Sequence, residues 1–209
     1  MRKERLYHMM LTAILLCGPM TASAQDEPEF VVTQGDFHVL KQKGKTGIVE
    51  LDYDQAKISN LHTMEISDVT VIKHLEENDS KAFRKWSGIK EEAVEMFSDR
   101  WNEEKKRYIK LVEKGTPDYK LVIKADLFDV GNSASATWSW NKRDGGIIIS
   151  GTLNVLDANG NNVCKVKINR YRGASTRNLD IKAPTFHRRT VLFHKSLAKD
   201  LLEYFDTLK

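Results

Sequence analysis

The chain has 209 residues, with 33 Lys and Arg against 29 Asp and Glu, a net charge of +4 at pH 7 and 41% hydrophobic residues. That length suits one domain with a real core. A charge excess this small gives no reason to expect nucleic acid or an anionic membrane as the partner.

Residues Met1 to Ala24 carry three marks of a cleavable secretory signal. Arg2, Lys3 and Arg5 give a positive start, Met9 to Cys17 an apolar run, and Ala22-Ser23-Ala24 a small-residue cleavage site. The apolar run is shorter than the ~20 residues needed to cross a bilayer, and no later run is longer, so no transmembrane span is expected. Cys17 raises the alternative of a lipid anchor, but Leu16 stands where a small residue is wanted, and cleavage after Ala24 fits better. The chain is therefore expected to be exported, periplasmic or secreted. Three basic residues and one acidic residue leave with the signal, so the 185 that remain carry a net charge of +2. One of the two cysteines also leaves, so Cys164 stands alone and no internal disulfide can form.

Residues 25–30 read as a disordered polar leader and 31–209 as a single domain. Phe37 to Leu40 and Thr46 to Tyr53 read as strands. Lys41 to Lys45, with Gly44, reads as the hairpin between them. Asn60 to Asn78 is mixed: Val69, Val71 and Ile72 favour strand, whereas Ser67 as a cap and the Ile72–Leu75 spacing favour a short helix. A long helix is predicted from Ser87 or Gly88 to about Glu113. Ile89, Ala93, Met96, Phe97, Trp101, Tyr108 and Val112 form its stripe, acids lie near its start and bases near its end. Gly115 and Pro117 stop it. Three strands follow: Tyr119 to Phe128, Ile147 to Leu156 and Val163 to Tyr171. The last two are joined by a turn-rich Asp157–Asn162 segment as an antiparallel hairpin. Thr185 caps a final helix to about Asp206, with Phe186, Phe193, Leu197, Leu201 and Phe205 buried. The order predicts an α+β fold, a two-layer sandwich of a mostly antiparallel sheet packed by a long central helix and a C-terminal helix.

The residues give no catalytic signature. His38, His62, His74, His187 and His194 lack metal-site spacing, and His187 and His194 stand two turns apart on one helix face. Cys164 lies on the apolar face of its strand and reads as a small hydrophobe. No Gly-x-Ser-x-Gly elbow exists, and Asp157 to Asn162 lacks the ligand run of a calcium loop. No catalytic residue, metal or cofactor is therefore assigned.

Two features suggest contact with a partner. Trp138 and Trp140 lie two apart between glycines, beside Lys142 and Arg143; on an extended segment they face one way and suit a sugar, a peptide or a headgroup layer. Covering one end of the sheet would also explain them. A basic group formed by Arg170, Arg172, Arg188 and Arg189, with Lys165 and Lys167 nearby, suits an anionic partner or is a solvated face.

Several motifs carry a resemblance. Val32 to Leu40 with its Gly35-Asp36 pair, Ile48 to Asp54, Phe97-Ser-Asp-Arg-Trp101-Asn102, Tyr119 to Lys124, and Asp129-Val-Gly131 together resemble a family of uncharacterised exported proteins of Bacteroides-type bacteria. The half from Tyr119 onward also resembles small envelope-lipoprotein domains related to curli-secretion and TolB N-terminal domains. The resemblance implies an envelope location and brings no catalytic residue. The expected function is thus a non-enzymatic, envelope-associated module binding a protein or small ligand. The rivals are a hydrolase whose site assembles only in the fold and a structural subunit of an envelope assembly. A pocket lined by two or more of Asp126, Asp129, Ser133 and His194 would favour the hydrolase. Partner identity and oligomeric state are left open.

Overall fold

The computed structural model describes residues 27–60, 65–103, 107–131, 146–173 and 185–208. The predicted signal with Cys17 lies outside the described residues. Eight strands form one sheet: β1 (Phe30–Gly35), β2 (Thr46–Asp52), β3 (Lys57–Asn60), β4 (Glu65–Thr70), β5 (Lys110–Leu111), β6 (Tyr119–Asp129), β7 (Ile148–Asp157) and β8 (Asn162–Arg172). Four α-helices accompany them among the described residues: α1 (Val71–Asn78), α2 (Ser80–Arg84), α3 (Trp86–Glu103) and α4 (Phe186–Thr207). The sheet runs β1-β8-β7-β6-β2-β5, with β3 also on β6 and β4 on β3. The expected α+β architecture holds. The antiparallel part is β1, β8, β7 and β6, together with β3–β4, whereas β2 and β3 join β6 in parallel, as β5 joins β2.

Alternation explains which face is covered. Leu121, Ile123 and Ala125 of β6, Leu153 and Val155 of β7, and Cys164, Val166 and Ile168 of β8 are all buried under the helices. Between them, Lys120, Lys124, Thr152, Asn154, Lys165 and Lys167 point to the open face. Helix α4 lays Phe193, Leu197, Leu201 and Phe205 into the core, and Thr185 Oγ1 accepts from the Arg188 N–H as its cap. Helix α3 adds Ile89, Ala93, Phe97 and Trp101. Burial pushes the Cys164 thiol up to about 11, in keeping with an inert core residue.

The expected β7–β8 hairpin forms. Asp157 organises its turn, accepting from the Asn161 side chain and from the N–H groups of Asn161 and Asn159, with Gly160 at φ 84°. These bonds, the Asn161 amide first, hold the Asp157 carboxyl below the usual range.

Four expectations need correction. Phe37–Lys41 is a 3-10 helix, not a strand. Asp36 accepts from the His38 N–H at 2.8 Å, Gly35 at φ 74° bends the chain, and Phe37 and Leu40, three apart, bury together. Consequently Lys41–Lys45 joins no hairpin: β2 pairs with β6 and β5, while β1, which follows no alternation strong enough to be read, pairs with β8. The leader is shorter than expected, since Phe30 opens β1, Glu29 O accepts from Asn169 N–H and Glu27 meets Lys167 at 3.2 Å. Finally, α3 stops at Glu103, ten residues before the expected end. Its last turn clasps the returning chain instead: Trp101 Nε1 donates to Ile109 O, and the Asn102 amide both donates to Leu111 O and accepts from Leu111 N–H. The mixed reading of residues 60–78 resolves into β4 followed by α1, capped by Thr70 rather than Ser67.

Candidate functional site

A broad cavity lies between β2 and α3. Val49, Glu50 and Leu51 form its floor. Ser87, Gly88, Glu91, Val94, Glu95 and Ser98 form its helical wall, and Glu113 and Lys114 close one end. Its volume of about 950 Å³ is in the range of ligand sites.

The floor is an open strand edge. Val112 N–H donates to Gly47 O at 2.8 Å, so the Gly47 carbonyl faces β5 and away from β6. The strand repeat of two gives Val49 and Leu51 the same orientation. Yet β5 pairs only with Thr46 and Gly47. The outward N–H and C=O groups of Val49 and Leu51 therefore have no strand partner among the described residues. The Asn102 amide holds β5 from its other side: Lys110 and Val112 donate to β2, so the Leu111 N–H and C=O that Asn102 engages face away from it.

The walls are acidic. Five glutamates and two lysines line the groove. Glu50 is engaged by Lys120 and Glu92 by His187, at 2.6 Å. Glu91 accepts from Ser87 Oγ at 3.2 Å. Glu95 and Glu113 have no ion-pair partner among the described residues. At the far end Asp54 takes the Lys90 ammonium and the Trp86 indole N–H. Burial alone would push Asp54 up, but these two donors outweigh it and hold the carboxyl below its ordinary value.

A second, smaller basin of about 440 Å³ lies on the open sheet face between Thr33, Asp126, Ser150, Thr152, Lys165 and Lys167. Lys165 and Lys167 of the expected basic group reach it. Arg170 is exposed on β8 at φ 44°, where its N–H donates to Ser150 Oγ. Arg172 is half-buried opposite Ile148, and Arg188 is exposed on the first turn of α4. Arg189 departs from the expectation of a surface patch. It is 7% exposed, on the α4 face that also carries Phe186 and Phe193. Desolvation lowers its pKa, opposed by the nearby Asp129 charge. Trp138, Trp140, Lys142 and Arg143 lie outside the described residues, as does Ser133.

The residues that would mark a hydrolase occupy three surroundings. Asp126 is exposed on the open face. Asp129 is buried and accepts from the Gly131 N–H. His194 is fully buried between Tyr53 OH, at 2.9 Å, and Thr190 O, at 2.7 Å. A carbonyl only accepts, so Nδ1 carries the proton, and Tyr53 donates to Nε2. Burial holds the ring neutral, with its pKa pushed down to about 4.

The groove itself was not legible in the sequence. Glu91 and Glu95 read there as complements of the helix dipole, and the alternation from Val49 to Tyr53 marks a strand without saying which strands flank it. No helix among the described residues is long and apolar enough to cross a membrane. No family model and no curated protein matches the chain. Two solved structures of PelC from Paraburkholderia phytofirmans, both dodecamers and one a point variant, are similar over 82% of this chain. The variant is 12% identical, is covered over 96% of its length and has a TM-score of 0.36. The other is 13% identical and 97% covered, with a TM-score of 0.37. Both are distant matches and bring no residue or activity to this chain.

Proposed function

We propose that this protein is an exported, non-enzymatic module of the cell envelope that binds a protein partner in the groove between β2 and α3. The groove carries the reading: it combines a volume of about 950 Å³, an acidic wall and a strand edge with free backbone groups in one place. A protein ligand satisfies all three features at once, because only another backbone supplies matching N–H and C=O groups along an edge. Asp126 on the open sheet face and His194 in the helix-covered core stand on different faces of the sheet, which supports binding over hydrolysis. The signal-like first 24 residues support export.

A photo-crosslinking amino acid at Glu95, compared with one at Asn159 on the β7–β8 turn, tests the site in cells of the native host. A discrete envelope adduct from position 95, absent from position 159 and lost when Glu91 is changed to Lys, is the expected result. Adducts from position 159 alone would overturn the groove as the site. Intact mass of the recovered chain tests export: a start at Gln25 without added lipid is expected, and a full-length chain retaining Met1 would refute it.

A further inference from the structure

We infer that the groove takes an extended, lysine- or arginine-bearing segment of the partner protein, which adds to the sheet as a short strand on the open edge of β2. This rests on the function proposed above and specifies its chemistry.

The edge sets the length of the segment. β5 covers β2 up to Gly47, and at the other end Ile72 N–H donates to Asp54 O, so α1 covers the chain beyond Tyr53. The open run from Ile48 to Tyr53 is six residues, about 20 Å at strand rise. A strand of four or five residues fits there in line with β5. Its backbone would meet Val49 and Leu51, and alternate side chains would face Val94 on one side and solvent on the other.

Charge sets its composition. Glu91 and Glu95 stand one helical turn apart along the wall and Glu113 at the mouth; of the two lysines, Lys90 is held by Asp54 and Lys114 lies beside Glu113 at the closed end, so the wall itself stays acidic. Cationic side chains on the incoming segment meet these carboxylates, and acidic ones are repelled. The same argument disfavours a second copy of this chain pairing through its own edges. β1, Phe-Val-Val-Thr-Gln-Gly, carries no base, and β4, Glu-Ile-Ser-Asp-Val-Thr, is acidic.

The test uses the protein with defined peptides: acetyl-Lys-Val-Lys-Val-Lys-amide, its Glu-for-Lys counterpart, and the lysine peptide N-methylated at alternate residues. Titration by calorimetry is combined with amide hydrogen exchange. The lysine peptide is expected to bind and to slow exchange at Val49 and Leu51. The variant Glu91→Lys with Glu95→Lys, both exposed helix positions, and alternate N-methylation of the peptide should each weaken binding about tenfold or more. The glutamate peptide should not bind. Equal affinity of the N-methylated peptide, or binding without protection at Val49 and Leu51, would overturn strand addition while leaving the groove as a charged binding site. No binding of the lysine peptide would overturn the inference, whereas the crosslink at position 95 decides the groove separately. Dimerisation of the free protein that is abolished by Glu91→Lys would assign the edge to a second copy and overturn it as well.

Discussion

At the residue scale, the Tyr53–His194 pair is the most consequential polar contact in the core. The imidazole makes two bonds and stays neutral, with its pKa near 4 against an unfolded value near 6.5. Between those values the unfolded chain binds a proton that the folded chain refuses. Stability therefore stays at its full value above pH 6.5 and falls as pH drops towards 4. Denaturant unfolding across this window should show a slope that flattens in His194→Gln, and an unchanged slope in that variant would contradict the assignment. Tyr53→Phe keeps the ring but leaves Nε2 without its donor, which should cost about 1–3 kcal/mol. Gly151 is a steric requirement of another kind. A Cβ there would stand 2.0 Å from Lys124 O, where β6 and β7 approach at a bulge. Gly151→Ala must push the strands apart, with an expected loss of about 3 kcal/mol in thermal or chemical unfolding.

At the scale of elements, the end of α3 and the anchoring of β5 are one event. The apolar stripe holds from Ile89 to Trp101, but of its last members Tyr108 is buried from outside the helix and Val112 is only half-buried, while Ile109, outside the stripe, is buried too. Tyr108 and Ile109 reach the core after the chain has turned back, held by Trp101 Nε1 on Ile109 O. Helical periodicity cannot tell one long helix from a helix and a returning strand that share an apolar surface. Asn102 is the clip. Asn102→Ala removes two bonds to Leu111 and should cost about 1–2 kcal/mol, with faster amide exchange at Lys110 and Leu111 than elsewhere in the sheet. Should Asn102→Ala leave exchange at Leu111 unchanged, the clip is not what holds β5. The same substitution bears on the groove, because a released β5 lengthens the open edge of β2.

For the whole molecule, the sheet has a protected centre and an unprotected margin. β6, β7 and β8 are paired on both sides over most of their length and carry the core on one face. Among the described residues, β2 has β6 on one side and only two paired residues on the other. Native-state exchange should follow this division: slowest at Leu121, Ile123, Leu153 and Val166, and fast at Val49 and Leu51 despite their place in a strand. Slow exchange at Val49 and Leu51 in the free protein would mean that the edge is already covered, and the proposed binding mode would fall with it.

Local spacing determined much of this protein. The period of two marks β6, β7 and β8, the turn chemistry at Asp157–Asn162 marks their hairpin, and Thr185 with its apolar stripe marks α4. Each rests on neighbours a few residues apart, and so each is written in one stretch of chain. The parallel docking of β2 on β6, the stop of α3, the burial of Arg189 and the open edge with its acidic wall were decided only by tertiary structure. They depend on which distant segments meet: β2 and β6 are some 70 residues apart, and the groove joins β2 to a helix that begins about 35 residues later. Alternation says that a strand has two faces; only its neighbours in space say whether it also has a free edge.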